Sequence, residues 1–317
     1  MTAQAPLTSL RVLGRISVAF LLDIIRTGRM DREFLDGLIT LAIVQANVTP
    51  LASDPALQRA YADYESLPPD ELRRPVSVSA VAQSLKLPYE TVRRRVAAMA
   101  RGGGFELTPQ GVYVTGEMLN NPAHKAVMIA NHDLIRDFYL RLRRLGALDE
   151  VAAIAAPDGP AAQPVRAVAR VSSDYVLRIT DVICVQVGDL VRGLVLLDII
   201  RANTEHLPDD ERGTDLGGPA SFVPDELRRP VTVAALSTRL QVPHETVRRH
   251  VARLVEDRLC QKTPDGLLVP AHVLARENFV RLMAENHMHV RRMFAALARL
   301  GVTAPWEQLA QDRRATA

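Results

Sequence analysis

Adjacent arginines occupy the same place in an octapeptide that this 317-residue chain contains twice. Pro88-Tyr89-Glu90-Thr91-Val92-Arg93-Arg94-Arg95 returns 155 residues later as Pro243-His244-Glu245-Thr246-Val247-Arg248-Arg249-His250. Arginine can bind a phosphate or hold guanine through two parallel hydrogen bonds, threonine can contact a phosphate or a thymine methyl, and glutamate can accept a hydrogen bond from cytosine. The octapeptide therefore carries residue types that suit nucleic-acid recognition.

The octapeptide also fits the start of an amphipathic helix. At 100° per residue, Val92, Val96 and Met99 lie within about 60° of one another, and the second copy keeps this spacing. We expect the apolar stripe to face a core, which directs Glu90 and Arg94 outward. The residues predicted to contact DNA are Tyr89, Glu90, Thr91, Arg93, Arg94 and Arg95, with His244, Glu245, Thr246, Arg248, Arg249 and His250 in the second copy.

The repeat extends beyond the octapeptide. Residues 70–95 and 225–250 are identical at 16 of 26 positions without a gap. At the same offset, Asn131-His132 meets Asn286-His287. Farther upstream, the pentapeptide at 22–26 recurs at 197–201 with a different offset, so about twenty more residues separate the two motifs in the first copy. Two halves of the chain are predicted to be the same structural unit.

The sequence around each octapeptide predicts a short helix, a tight turn, a second helix and a two-stranded hairpin. This is the order of a winged helix-turn-helix. We therefore predict a mainly α fold with small β-hairpin wings, in which two tandem winged helix-turn-helix repeats form an intramolecular pseudo-dimer.

The predicted domain boundaries follow from composition and helix signals. An Ala/Pro-rich linker separates the repeats, and the last residues are expected to fray. The segments are a first repeat at 1–150 with its winged helix at about 72–116, a linker at 151–171, a second repeat at 172–303 with its winged helix at about 227–271, and a tail at 304–317. Long helices are expected at 7–28, 116–145, 172–203 and 271–300.

The order helix, helix-turn-helix, wing, long helix resembles the winged-helix transcription regulators of the MarR type. The Glu-Thr-Val-Arg-Arg run is similar to the recognition helices of GntR- and DeoR-type regulators. The resemblance covers about 45 residues in each half, and the flanking helices only by architecture. It implies a bacterial-type regulator whose outer helices form a dimer interface. In one chain, the two halves would then read two non-identical half-sites in the major groove of double-stranded DNA.

The wings depart from that family's pattern, in which a basic tip enters the minor groove. The first tip is Pro109-Gln110-Gly111, and the second combines Lys262 with Asp265. Gln110 and Lys262 remain the candidates for a wing contact. The second recognition helix is also less basic than the first, because His250 stands at the position of Arg95.

Other polar groups are also candidates for sites. Asn131, His132, Asn286 and His287 are candidates for an effector or interface site, and the alternative is a polar pair that crosslinks helices. Residues 102–104 precede a strand rather than a helix, which argues against a phosphate loop. No nucleophile–base pair and no metal-ligand spacing stands out. We expect no catalytic residue, no metal and no cofactor, and hence not an enzyme.

Composition sets the remaining expectations. The net charge of +3 is too small to indicate nucleic acid without the arginine pattern. Cys184 and Cys260 lack metal or disulfide spacing and are expected to be core thiols of a reducing compartment. No signal peptide or membrane span is predicted, so we expect a cytoplasmic, nucleoid-associated protein that binds double-stranded DNA and no membrane. A small-molecule effector and a further homodimer stay open. The alternative function is a tandem winged-helix protein-interaction scaffold of chromosome segregation, or a plasmid-type replication initiator.

Overall fold

A computed structural model of the chain describes residues 7–28, 33–152, 154, 164–207 and 222–315. The first half contains α1 (Leu7–Gly28), α2 (Phe34–Asn47), α3 (Thr49–Ala52), α4 (Pro55–Ala60), α5 (Val78–Ser84), α6 (Tyr89–Arg101), β1 (Phe105–Thr108), β2 (Gly111–Val114), α7 (Gly116–Asn120) and α8 (Pro122–Arg144). The second half contains α9 (Val165–Val187), α10 (Leu190–Thr204), α11 (Val233–Leu240), α12 (His244–Glu256), β3 (Gln261–Thr263), β4 (Gly266–Leu268), α13 (Ala271–Leu274), α14 (Glu277–Arg299) and α15 (Thr303–Ala315). The prediction of a mainly helical fold with two small antiparallel hairpins is confirmed.

The repetition in the sequence is also a repetition of the backbone. Helices α6 and α12 have the same bounds at an offset of 155 residues, and so do α8 and α14. The left-handed residues recur at the same offset: Lys86 has φ 51° and Gln241 φ 49°, while Gly111 has φ 138° and Gly266 φ 140°. Few residues adopt positive φ, so the matching positions show that both turns have the same local geometry.

A buried asparagine joins the hairpin of each repeat to the preceding helix. Asn47, from α2, donates through Nδ2 to the carbonyl oxygens of Arg74 at 2.7 Å and Val112 at 3.1 Å. Its Oδ1 accepts the N–H of Val114 at 2.9 Å. Asn203, from α10, makes the same three bonds at 2.7, 3.0 and 2.9 Å. Both side chains are fully buried, so all of these bonds replace bonds to water.

This asparagine identifies α2 and α10 as equivalent helices, at an offset of 156 residues. The expected equivalence of 22–26 with 197–201 is therefore wrong, because 22–26 lies in α1 and 197–201 lies in α10. The two pentapeptides contact each other instead. Arg201 Nη1 donates to Asp23 Oδ1 at 2.8 Å.

Each hairpin gains a third extended segment through one isolated bridge. Val76 pairs with Val112 in the first repeat, and Val231 pairs with Leu267 in the second.

The predicted core stripe on the second helix of each repeat is confirmed. Val92 and Val96 are buried in the same cluster as Phe105 and the residues of β2, and Val247, Val251 and Leu254 are buried in the second repeat.

Three predicted long helices are interrupted. The helix expected over 116–145 breaks at Asn121, whose Oδ1 accepts the N–H of His124 at 2.7 Å and starts α8 with Pro122 as the next residue. The helix expected over 172–203 breaks at Gly188, which has φ 82°. The helix expected over 271–300 is likewise two helices, α13 and α14.

The predicted linker at 151–171 is partly helical. Helix α9 begins at Val165, and its next residue, Arg166, is buried. Arg166 donates to the carbonyl oxygens of Tyr64 at 2.7 Å and Leu119 at 3.2 Å, and lies over the Tyr64 ring. Residues 153 and 155–163 of that linker lie outside the described residues. So do residues 208–221, most of the loop that the sequence predicts at 204–224, between the first two helices of the second repeat.

The C-terminal segment at 304–317 was expected to fray, but α15 covers most of it. Trp306 is buried against Tyr139, with the ring centroids 5.7 Å apart. Glu307 accepts a hydrogen bond from Tyr139 Oη at 2.6 Å. An aromatic side chain therefore anchors this helix.

The chain forms two compact units. Unit 1 is Met1–Asp23 with Val182–Met288, and unit 2 is Ile24–Asp181 with His289–Ala317. Unit 1 holds the hairpin of the second repeat, and unit 2 holds the hairpin of the first. Each unit also includes a segment from the other half of the sequence.

Candidate nucleic-acid interface

The start of each candidate recognition helix is set by a tight turn. In the first repeat, Ser77 Oγ accepts the N–H of Ala80 and begins α5, and Lys86 then takes the left-handed conformation between α5 and α6. Thr232 and Gln241 do the same in the second repeat. The first turns of α6 and α12 therefore have their directions fixed by matched local geometry.

Arg94 and Arg249 lie on the outer face of these helices. Both side chains are exposed, and neither makes a hydrogen bond or ion pair with a residue that the structure describes. Their guanidinium groups can donate to an external acceptor without losing an internal bond. A planar guanidinium with parallel donors suits guanine or phosphate.

The neighbouring arginines are held by glutamate. Arg93 donates to both carboxylate oxygens of Glu90, at 2.8 and 2.7 Å. Arg248 donates in the same way to Glu245, at 2.7 and 2.6 Å. These hydrogen bonds lower the pKa of each glutamate and raise the pKa of each arginine. Both partners are exposed in each pair, so an incoming phosphate can compete for the arginine.

Arg95 and His250, which the sequence placed in the predicted interface, contact acidic side chains of their own repeats. Arg95 donates to Asp36 at 2.7 Å and to Glu33 at 2.8 Å. His250 Nδ1 lies 3.4 Å from Asp189 Oδ1, and burial is the main reason that its pKa is lowered. Arg95 therefore links α6 to the start of α2, and His250 links α12 to the start of α10.

The remaining predicted contacts on these helices differ in exposure. Tyr89 and His244, at the first residue of α6 and α12, are exposed, and Tyr89 keeps 52% of its surface accessible. Thr91 and Thr246 are half-buried. The rings of Tyr89 and His244 are therefore accessible at the N-terminus of each helix, while the threonines are half-buried on its side.

The two hairpins are short and chemically different. Each turns through two residues, so Gln110 lies at the exposed tip of the first hairpin. Lys262 is exposed on β3, whereas Leu107 holds the equivalent position on β1 and is 54% exposed. One hairpin thus presents a cation where the other presents an apolar side chain.

The asparagine–histidine pairs on α8 and α14 belong to different units. His132 lies edge-on to Trp306, with centroids 5.4 Å apart, and its Nδ1 lies 3.3 Å from Asp133. Burial lowers the pKa of His132 and that of His287. Asn131 and Asn286 are half-buried. Each pair is therefore part of its own helix packing.

Sequence reasoning missed the different roles of the two arginines at 73–74 and 228–229. Arg73 is buried and donates to the carbonyl oxygen of Val114 at 2.8 Å, and Arg228 is buried and donates to that of Val223 at 3.1 Å. The following residue, Arg74 or Arg229, is exposed. The Arg-Arg doublet in both repeats was the available signal, but its pattern alone does not tell which arginine is buried.

Other features of the site regions are mainly structural. Cys184 and Cys260 are free and buried, as expected of core thiols, and burial raises the pKa of Cys260 to about 11. Within the described ranges, no group of three or more histidine, cysteine or acidic side chains could hold a metal ion. Nor does any helix in those ranges combine the length and apolar character needed to cross a membrane. Comparison with protein-family models, with curated proteins and with solved structures found no match to this chain.

Proposed function

We propose that each repeat is a winged helix-turn-helix, and that the chain is a sequence-specific transcription regulator that binds double-stranded DNA. In this proposal, α5 and α6 form the first helix-turn-helix and α11 and α12 the second. Helices α6 and α12 enter the major groove, and the hairpins are the wings. The MarR-type resemblance of the element order supports this assignment.

The matched pair Arg94 and Arg249 carries the proposal. Both arginines lie on the face opposite the buried valine stripe, and neither donates a hydrogen bond to a described residue. Desolvating such a side chain against DNA breaks no internal ion pair. A face that served only solubility would not need the same unpaired arginine at the same place in both repeats.

Arg93 and Arg248 have a second role in the proposal. Each is already oriented by two hydrogen bonds to a glutamate one turn earlier. A DNA phosphate can replace the carboxylate, which leaves Glu90 or Glu245 able to accept a hydrogen bond from a cytosine amino group. The glutamate would thus hold the arginine in place before binding and read a base afterwards.

The two half-sites need not be identical, because the outer residues of the two repeats differ. Tyr89 is replaced by His244, and Leu107 by Lys262, and all four side chains are exposed. Arg95 and His250 also differ, but their contacts with acidic side chains of the same repeat assign them to helix packing. We therefore expect the asymmetry of the binding site to come from the helix starts and the wings.

The test is selection of binding sites from genomic and random DNA with the full-length chain, followed by affinity measurements at fixed salt. We expect a two-part motif. Arg94→Ala and Arg249→Ala should each weaken binding by about 1–3 kcal/mol, roughly five- to 150-fold, and each should relax a different part of the motif. Arg144→Gln is the matched control, since Arg144 is exposed but lies at the end of α8.

The salt dependence separates a base contact from a phosphate contact. If Arg94 binds a phosphate, its removal should lower the slope of log affinity against log salt by about 0.9 and leave the motif unchanged. Unchanged affinity in both variants would refute the assigned interface. If no DNA is enriched at all, the protein-interaction scaffold becomes the better explanation.

A further inference from the structure

A cavity lies within unit 2, and no residue of α6 lines it. Its volume is about 660 Å³, and α2, α3, α4, α9 and α14 bound it. This size is ordinary for a small-molecule site, where volumes of about 300–1,000 Å³ are typical. Its apolar wall comes from α9 and α14 and includes Val171, Tyr175, Met293 and Leu300.

The charged residues of the cavity are mostly positive. Its lining includes four arginines and a single carboxylate, that of Asp174. Asp174 is already bonded to one of these arginines, because Arg178 Nε donates to its Oδ2 at 2.8 Å. The other three arginines have no carboxylate among the lining residues to neutralise them.

Arg170 is the most buried of these four cations. It is half-buried, and donates to the carbonyl oxygens of Tyr61 at 2.8 Å and Gln58 at 2.9 Å. Burial lowers its pKa to about 10, which still leaves it charged at neutral pH. Carbonyl oxygens fix the orientation of the guanidinium but do not cancel its charge, so an anion in the cavity would gain from this group.

Arg292 and Arg299 supply two further cations from α14. Both are exposed, and neither makes a hydrogen bond or ion pair with a described residue. They are seven residues apart, which places them on the same side of the helix, two turns from each other. An acidic ligand would therefore meet cations both at the wall and at the open side of the cavity.

We propose that this cavity binds a small amphiphilic organic anion. The acid group, a carboxylate or sulfonate, lies among Arg170, Arg292 and Arg299, and the apolar body packs against α9 and α14. A free inorganic phosphate would leave the apolar wall against water, and a neutral apolar molecule would leave the arginines without a counter-charge. Only a ligand with both an acid group and an apolar body satisfies both surfaces of the cavity. This proposal does not depend on DNA binding.

The experiment uses the full-length chain and the fluorescent probe 1-pyrenebutyrate, with 1-pyrenebutanol as its neutral counterpart. Fluorescence anisotropy gives the affinity of each probe at fixed salt. We expect saturable binding of the acid, and binding of the alcohol that is at least roughly tenfold weaker, because the two probes share an apolar body and differ in charge. The double variant Arg292→Gln/Arg299→Gln should weaken binding of the acid by roughly tenfold and hardly affect the alcohol.

Several outcomes would overturn the proposal. These are equal affinity of the acid and the alcohol, no saturable binding of the acid, and an unchanged affinity in the double variant. Displacement of the acid by millimolar inorganic phosphate, with no contribution from the pyrene body, would show a phosphate site instead. The control Arg144→Gln removes one exposed arginine of unit 2 that does not line the cavity, and must leave both affinities unchanged.

Discussion

Removal of the Asn203 side chain should destabilise unit 1 through one particular amide. Asn203 is fully buried, and its three hydrogen bonds run to the carbonyl oxygens of Arg229 and Leu267 and to the N–H of Val269. In Asn203→Ala, the oxygen of Leu267 keeps its bond from the N–H of Val231, at 3.1 Å. The N–H of Val269 has no second acceptor among the residues that the structure describes.

The expected cost follows from that difference. An orphaned buried N–H costs about 1–3 kcal/mol, and the two lost donor bonds add about 1 kcal/mol each, which gives about 3–5 kcal/mol. The amide of Val269 should therefore exchange with solvent roughly a hundred- to a few thousandfold faster. The amide of Val114, held in the same way by Asn47 in unit 2, serves as the internal control. Equal exchange of Val269 in the variant and the parent would refute the role of this asparagine.

The isosteric change Asn203→Asp tests the same bonds without a cavity. A carboxylate would face the two carbonyl oxygens, so burial and repulsion should raise its pKa above the ordinary value of about 4. A raised folded-state pKa means that the stability of the variant is highest below about pH 4 and falls as pH rises through the folded-state pKa. Urea denaturation at pH 4 and pH 7 measures this. A variant as stable as the parent at pH 7 would contradict the argument.

Three further predictions concern other positions. Gly266→Ala would place a Cβ 2.7 Å from the carbonyl oxygen of Val231, at a backbone φ of 140°. It should lower the free energy of unfolding, measured by chemical denaturation, by about 2–4 kcal/mol. The control Gly28→Ala has open space around the new Cβ and should lower it far less. Arg166→Met should cost about 3–5 kcal/mol, because three acceptors lose a buried donor; a thermal midpoint close to the parent's would show that these bonds contribute little. Burial lowers the pKa of His132, so its contribution to stability is complete above about pH 6.5 and is lost as pH falls through the lowered folded-state pKa. His132→Gln should therefore flatten the dependence of the unfolding free energy on pH between about pH 5 and 7. An unchanged dependence would assign it to another group.

The local elements could be predicted because their signals are local. The valine stripe of each second helix repeats every three to four residues, and such a stripe becomes buried wherever the helix packs. The turn before α6 and the tight hairpin turns were likewise visible in proline and glycine positions. The interruptions of the long helices were harder to predict. Asn121 interrupts one helical run because its own side chain caps α8, and Gly188 interrupts another because it adopts a positive φ itself.

The ion pairs of the candidate interface lay beyond sequence reasoning. Arg95 looks like a third base-contacting arginine in the sequence, but in the structure it pairs with Glu33 and Asp36, about sixty residues earlier. Periodicity indicates which face of a helix is apolar. It does not indicate which flanking cation finds a carboxylate on another helix.

The sequence by itself determined that one structural unit occurs twice, with an apolar stripe inside and Arg94 or Arg249 outside, because these features depend on spacing within a single helix. Only the tertiary structure showed that α2, rather than α1, is the equivalent of α10. This assignment rests on the buried hydrogen bonds of Asn47 and Asn203, some of which reach residues more than sixty positions away in the sequence. The tertiary structure also decided that each compact unit takes a segment from the other half of the chain. This division depends on contacts between residues far apart in the sequence, so no local pattern indicates it.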